Sequence, residues 1–133
     1  MIPDSGAEWI VDAAGCDPAR LSDPAPIEDC CEAIIRAMGL HVVGHPQFRA
    51  FPAPGGVTAL YLLSESHLSV HTFPEYGLVA LNVYCCRPHT PPDWLDMLGA
   101  AFGATEIAVR ELPRGRRALE LSERALRTLE ARP

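Results

Sequence analysis

Between Val57 and Cys86 the chain runs through three short strands in quick succession, Val57 to Leu63, His67 to Phe73 and Leu78 to Cys85. No other feature constrains the fold as much. β-Branched and aromatic residues recur in each run, and the turn Pro74-Glu75-Tyr76-Gly77 joins the last two. A parallel neighbour needs a crossover of about a dozen residues, so connections this short favour antiparallel pairing. The same stretch, from Ser64 to Cys86, carries a Glu-Ser bond, two histidines and a cysteine pair, more chemistry than an ordinary hairpin holds.

Glu8 to Ala14 reads as a first strand, ended by the turn Gly15-Cys16-Asp17-Pro18, with Cys16 structural. Ile27 to Met38 is a helix with Ile27, Cys30 or Cys31, Ile34 and Met38 on one face and Gly39 as its stop. Adjacent cysteines on a helix point in different directions, so one of the pair packs and the other is indifferent. A strand from His41 to Phe51 precedes the Pro-Gly break at Pro52, Pro54, Gly55 and Gly56. Thr90 caps a helix that runs to about Ala101, Thr105 to Leu112 is a last strand, and Ala118 to Ala131 is a terminal helix with Glu120-Arg124 and Glu123-Arg127 pairs. The expected architecture is one α/β (α+β) domain, residues 1–133, of order β-α-β-β-β-β-α-β. It forms a two-layer sandwich with an antiparallel-rich sheet, and residues 113–133 make a C-terminal helical extension that caps a partner or frays.

Charge and composition exclude several classes. A formal charge of -6 argues against nucleic acid and favours a cationic ligand. Arg114, Arg116 and Arg117 form the one basic cluster, in a Pro-Gly loop, and read as solvated. No apolar run approaches the roughly eighteen residues of a membrane helix, and the N-terminus lacks the basic start of a signal peptide. Five cysteines make a poor disulfide framework and point to a reducing cytoplasm. All eleven basic residues are arginine. A catalyst that forms an imine through its own amine uses lysine, so imine chemistry here needs a carbonyl made from the chain; codon bias is the plain alternative explanation.

Ser66 is a weak nucleophile unless a base and a positioned carbonyl assist it, and His71, largely neutral at pH 7, is the available base. In a strand, His67, Ser69 and His71 share one face while Ser66, Leu68 and Val70 share the other, so His71 reaches Ser66 only across a bend or break at the Glu65-Ser66 bond. Cys86 is mostly protonated at pH 7 and can act as an acid. His67 and His71, with Cys85, Cys86 and His89, suggest a metal site, but a strand does not gather two histidines four apart, and no metal is expected. Ser66, His71 and Glu75 lack the Gly-x-Ser-x-Gly elbow of a hydrolase.

The run Glu65-Ser66-His67-Leu68-Ser69-Val70-His71-Thr72-Phe73-Pro74-Glu75, closed at the next strand's end by Cys86, resembles the self-processing region of the prokaryotic S-adenosylmethionine decarboxylase proenzymes. Gly56-Val57-Thr58 and Gly15-Cys16-Asp17-Pro18 also match that family's pattern. The resemblance implies a chain that cuts itself between Glu65 and Ser66 into residues 1–65 and 66–133. Ser66 is consumed to make a pyruvoyl cofactor, which forms a Schiff base with the substrate, with no pyridoxal phosphate and no metal. His71 is then the processing base, Thr58 assists processing, Cys86 is the proton donor, Glu75 holds the ribose hydroxyls, and Phe51 and Phe73 contact substrate. A cytoplasmic homodimer, sheet faces inward with shared sites, is implied, decarboxylating S-adenosylmethionine for spermidine synthesis. The chain departs from the pattern at Ala14, at Pro52 (which leaves Phe51 one residue early for adenine stacking), at Asn82 and at Arg87. These departures leave open the same chemistry on L-arginine or L-ornithine, or an unprocessed, non-catalytic binding partner.

Overall fold

The computed structural model describes residues 6–115 and 117–133. Its elements are β1 (Gly6–Ala14), α1 (Pro18–Leu21), α2 (Pro24–Met38), β2 (Gln47–Ala50), β3 (Val57–Leu63), β4 (Ser66–Phe73), β5 (Leu78–Cys85), α3 (Trp94–Phe102), β6 (Glu106–Arg114) and α4 (Ala118–Glu130), with a 3-10 turn over Pro74–Tyr76. The six strands form one sheet in the order β2-β3-β4-β5-β1-β6, and every neighbouring pair is antiparallel. This is the expected α+β sandwich with its extra C-terminal helix.

Alternation along the strands divides the sheet into two unlike faces. Trp9, Val11 and Ala13 of β1, Tyr61 and Leu63 of β3, Leu68 and Val70 of β4, and Val79, Leu81 and Val83 of β5 point to one side and are buried. Against them lie Ile27, Ile34 and Met38 of α2 and Trp94, Leu98 and Phe102 of α3. Thr72 anchors this layer: its hydroxyl accepts from the Val57 N–H at 2.8 Å and donates to the Leu21 carbonyl at 2.6 Å. A Cβ at the preceding Gly56 would overlap the Thr72 carbonyl, so the chain can enter β3 there only as glycine. The other face carries Glu8, Ile10, Asp12, Thr58, Leu60, Leu62, His67, Ser69, His71, Asn82 and Tyr84, and Leu60 and Leu62 are 48% and 63% exposed.

Several element boundaries differ from expectation for physical reasons. The strand foreseen from His41 to Phe51 shrinks to Gln47–Ala50 plus a single bridge from Val42 to Leu63, because Gly44 turns left-handed (φ 70°) and Pro46 offers no N–H. α2 starts three residues early, with Pro24 in its first turn and Asp23 accepting from the Ala25 N–H at 3.1 Å. Both Cys30 and Cys31 are buried, since α2 lies between the sheet and α3 and needs a wide apolar stripe. Asp93, not Thr90, caps α3, accepting from the Asp96 N–H at 3.0 Å; prolines at 91 and 92 hold the residues before them extended. β6 continues through Pro113 to Arg114. Cys16 is buried, its N–H donating to the Gly77 carbonyl at 3.0 Å.

Candidate active site

The candidate residues gather at the two ends of β4, most of them on the open face but Ser66 on the helix side. At the first, β3 and β4 are joined by a two-residue turn, Ser64 and Glu65, with Leu63 opposite Ser66. The Glu65 carbonyl accepts the Cys86 N–H at 3.0 Å, and the Glu65 carboxylate meets Arg87 Nε at 2.6 Å. An N–H aimed at a carbonyl oxygen polarises that carbonyl and meets charge that develops on it. Ser66, next along, turns its side chain to the helix side, beside the Cys85 thiol. Burial pushes that thiol up to about 11, against a smaller lowering by the Ser66 hydroxyl. Cys85 is thus a buried neutral thiol, while Cys86, half-buried beyond the strand end, has its Sγ 3.6 Å from Tyr84 Oη. Gly6 packs over this backbone so closely that a Cβ there would lie 2.6 Å from the Cys85 carbonyl.

The second end holds the histidine. His71 Nδ1 and Thr58 Oγ1 share a hydrogen bond of 3.0 Å across the β3–β4 ladder, where the two residues are direct partners. Arg49 is the next residue of that row, and its guanidinium lies 5.3 Å from the ring centre of Phe51, which is 46% exposed. Phe73 continues the open face, and Glu75 sits in the 3-10 turn beside a cavity of about 320 Å³ that the Ala53-Pro54-Gly55 loop also lines. β4 runs unbroken from Ser66 to Phe73. Ser66 and His71 therefore stand on opposite faces, separated along the strand by roughly 16 Å at about 3.3 Å per residue. No bend at the Glu65-Ser66 bond brings them together within one chain.

Five open-face residues meet near the turn end; Glu8 and Tyr84 had no role in the sequence reading, and His67, Asn82 and Arg114 were read there in other roles. The Glu8 carboxylate accepts from Arg114 at 2.7 Å and from Asn82 Nδ2 at 3.2 Å. Arg114 also lies over the Tyr84 ring, 5.0 Å from its centre, and the His67 ring stands 5.5 Å from Tyr84 on the next strand. Alternation along β5 put Asn82 and Tyr84 on one face in the sequence, but only the pairing of β1 with both β5 and β6 brings Glu8 and Arg114 to them. Arg114 is accordingly paired with Glu8 while its side chain stays 49% exposed; Arg116 of the same cluster lies outside the described residues, and Arg117 pairs with Glu120 at 3.4 Å. The imagined metal ligands do not converge: Cys85 faces the core, and His89 Nδ1 donates to the Met38 carbonyl at 2.9 Å. A groove of about 470 Å³ between α2 and α3 opens on the helical side, remote from these groups.

With this geometry in view, comparisons with known proteins are specific. Residues 7–115 match the family model described as S-adenosylmethionine decarboxylase. The chain is 36% identical over 111 residues to the S-adenosylmethionine decarboxylase proenzyme of Pyrococcus furiosus, covering 83% of this chain and 78% of that one. It is 35% identical over 118 residues to the proenzyme of Geobacillus kaustophilus (89% and 94% covered), and 33% identical over 126 residues to proenzyme 2 of Halalkalibacterium halodurans (93% and 97% covered). In fold it is similar to the crystal structure of the adenosylmethionine decarboxylase from Aquifex aeolicus, with a TM-score of 0.68 at 24% identity over 85% of this chain and 92% of that one.

Proposed function

The chain belongs to the S-adenosylmethionine decarboxylase family, and from that premise we propose that it cuts its own Glu65-Ser66 bond and then decarboxylates S-adenosylmethionine for polyamine synthesis. The observation that carries this reading is the Glu65 carbonyl held on the Cys86 N–H immediately before Ser66. In processing, Ser66 Oγ bonds to the Glu65 carbonyl carbon, the C–N bond breaks, and the amide becomes an ester. Charge on the carbonyl oxygen is met by the Cys86 N–H. Loss of the Ser66 α-proton with cleavage of its Cβ–Oγ bond releases the main-chain carboxylate of Glu65, and hydrolysis of the resulting enamine with release of ammonia would leave a pyruvoyl group at residue 66. Arg87 holds the Glu65 side chain, and through it the carbonyl, in register for this sequence. That a fixed, polarised carbonyl adjoins a serine fits the formation of such a group.

A pyruvoyl group at residue 66 would supply the carbonyl for imine chemistry with the substrate amine and an electron sink for decarboxylation. Cys86 then supplies a proton to the substrate α-carbon. Glu75 holds the ribose hydroxyls, and Phe51 and Phe73 contact the substrate. Asn82 and Arg87, two departures from the family pattern, are engaged by Glu8 and Glu65 within the chain, which leaves neither free to select arginine or ornithine.

His71 and Thr58 serve residue 66 of a second copy, and processing then requires the Ser66 hydroxyl to turn from the helix side, where it lies beside Cys85, to the open face. Two open faces packed about a two-fold axis would cover Leu60 and Leu62 and set the histidine end of one protomer over the turn end of the other. We place the protein in the cytoplasm on its chemistry: all five cysteines are free thiols, and no helix among the described residues is long and apolar enough to cross a membrane. The reading is tested by intact mass of freshly purified protein beside Ser66→Ala. Two fragments are expected, the C-terminal one about 17 Da lighter than hydrolysis alone predicts, as follows from a serine converted to a ketone in covalent catalysis. An uncut chain that persists through long incubation overturns the enzyme reading in favour of a non-catalytic binding partner.

A further inference from the structure

We propose that Tyr84 is a positioning residue for the proton on Cys86, its phenol O–H donating to the cysteine sulfur once that sulfur has given its proton to substrate. The inference rests on the reading of Cys86 as proton donor. Its balance is simple: the S–H bond breaks as the new C–H bond forms, the thiolate is held by the Tyr84 hydrogen bond with no transfer from the phenol, and solvent water returns a proton to sulfur.

Three observations carry it. Tyr84 Oη lies 3.6 Å from Cys86 Sγ, within reach of a hydrogen bond to sulfur. The ring is fixed from both sides, by the His67 ring at 5.5 Å and the Arg114 guanidinium at 5.0 Å. Arg114 in turn is held on Glu8, which Asn82 also holds. His67, Tyr84 and Glu8 are direct partners in one row across β4, β5 and β1, which sets the Tyr84 ring between these neighbours. The groups facing the pair are His67 from β4, Glu8 from β1, Arg114 from β6, and Glu65 with Arg87, which neutralise one another. The phenol also keeps its proton: the Cys86 sulfur first, and burial second, raise its pKa above the ordinary tyrosine range, with Arg114 opposing. A phenol that stays protonated is a donor, which is what a thiolate needs.

Cys86 is also the one cysteine of the five that is not buried, which makes its reactivity readable. In the uncut Ser66→Ala chain, alkylation of Cys86 by iodoacetamide is followed from pH 6 to 10, with the modified peptide located by mass. Tyr84→Phe keeps the ring and removes the donor. Its expected effect is a higher alkylation midpoint, with about tenfold less thiolate at pH 7, as loss of a hydrogen bond to a charged group requires. A fluorinated tyrosine placed at 84 alone, a stronger donor of the same shape, should move the midpoint down, and it settles the matter if the phenylalanine variant fails to fold. An unchanged or lowered midpoint in Tyr84→Phe, or an unchanged one with the fluorinated residue, overturns the proposal. No pyruvoyl forms in this background, so the outcome is independent of whether the wild-type chain cuts itself; in the cut enzyme, kcat should fall in Tyr84→Phe with KM held.

Discussion

The two ends of the open sheet face are built on different plans. At the turn end, side chains are tied to one another within the chain: Glu65 to Arg87, Glu8 to Asn82 and Arg114, Tyr84 to Cys86. At the histidine end, His71 shares a single hydrogen bond with Thr58 beside a proline-rich loop and exposed aromatics. On the proposed reading the first end supplies the electrophile and the acid, with the Ser66 nucleophile turned to the helix side, and the second supplies a base that does not reach Ser66 within its own chain. On that reading the site is complete in composition but not in geometry within one chain, and a two-fold axis would complete it.

The comparison breaks most severely at Ser66. Ser66→Ala removes the nucleophile, and complete loss of self-cleavage and of carbon dioxide release is expected, read by intact mass and a radiolabelled-carboxyl assay. Next, His71→Ala alone should slow cleavage at least a hundredfold, the scale of a lost general base. Co-refolding it with Ser66→Ala should restore cutting of the His71→Ala chain alone. If the two ends serve one another inside a single chain, the mixture stays uncut.

A smaller effect concerns stability and the buried thiols. Burial raises Cys30 to about 12 and Cys85 to about 11, whereas an unfolded thiol ionises near 8.5. Because the folded values are the higher ones, this stabilisation is full below about pH 8.5 and is lost as pH rises towards 11 and 12. Its loss is up to about 1.4 kcal/mol per pH unit for each thiol. Denaturant midpoints between pH 8 and 11 should fall accordingly, and Cys30→Val should flatten the slope; an unaltered slope would refute the buried neutral thiol. Smallest of all, Arg87→Ala breaks a partly exposed pair and should cost under about 1 kcal/mol of stability. Even so, it should slow cleavage several-fold, which time-resolved mass spectra measure, because the carbonyl then loses one of its two tethers.

How far the sequence revealed this arrangement depended on distance along the chain. The run from Val57 to Cys85 declared its strands because alternation and turn residues are local, and the faces assigned to Ser66 and His71 were the right ones. The start of the short strand was legible in Gly44 and Pro46, and the start of α3 in the paired prolines, yet the longer elements were read there. Glu8, Asn82, Tyr84 and Arg114 were not legible as a group. Their contacts depend on β1 inserting between β5 and β6, a long-range pairing that propensity does not encode. The pairing of Arg114 with Glu8 was missed for the same reason: it depends on the strand that carries the carboxylate being placed beside β6.

The order of the strands has a thermodynamic consequence for a chain cut before Ser66. Residues 1–65 supply β1, β2 and β3, and residues 66–133 supply β4, β5 and β6, yet β1 lies between β5 and β6. Three ladders, β3 with β4, β1 with β5 and β1 with β6, would then run between separate molecules. Folding of the intact chain is unimolecular, but folding of the cut protein becomes an association, so its melting point acquires a dependence on concentration that the precursor's own fold lacks. Maturation at this bond would make refolding a bimolecular event: a cut protein, once melted and diluted, regains its sheet only as fast as its two halves meet.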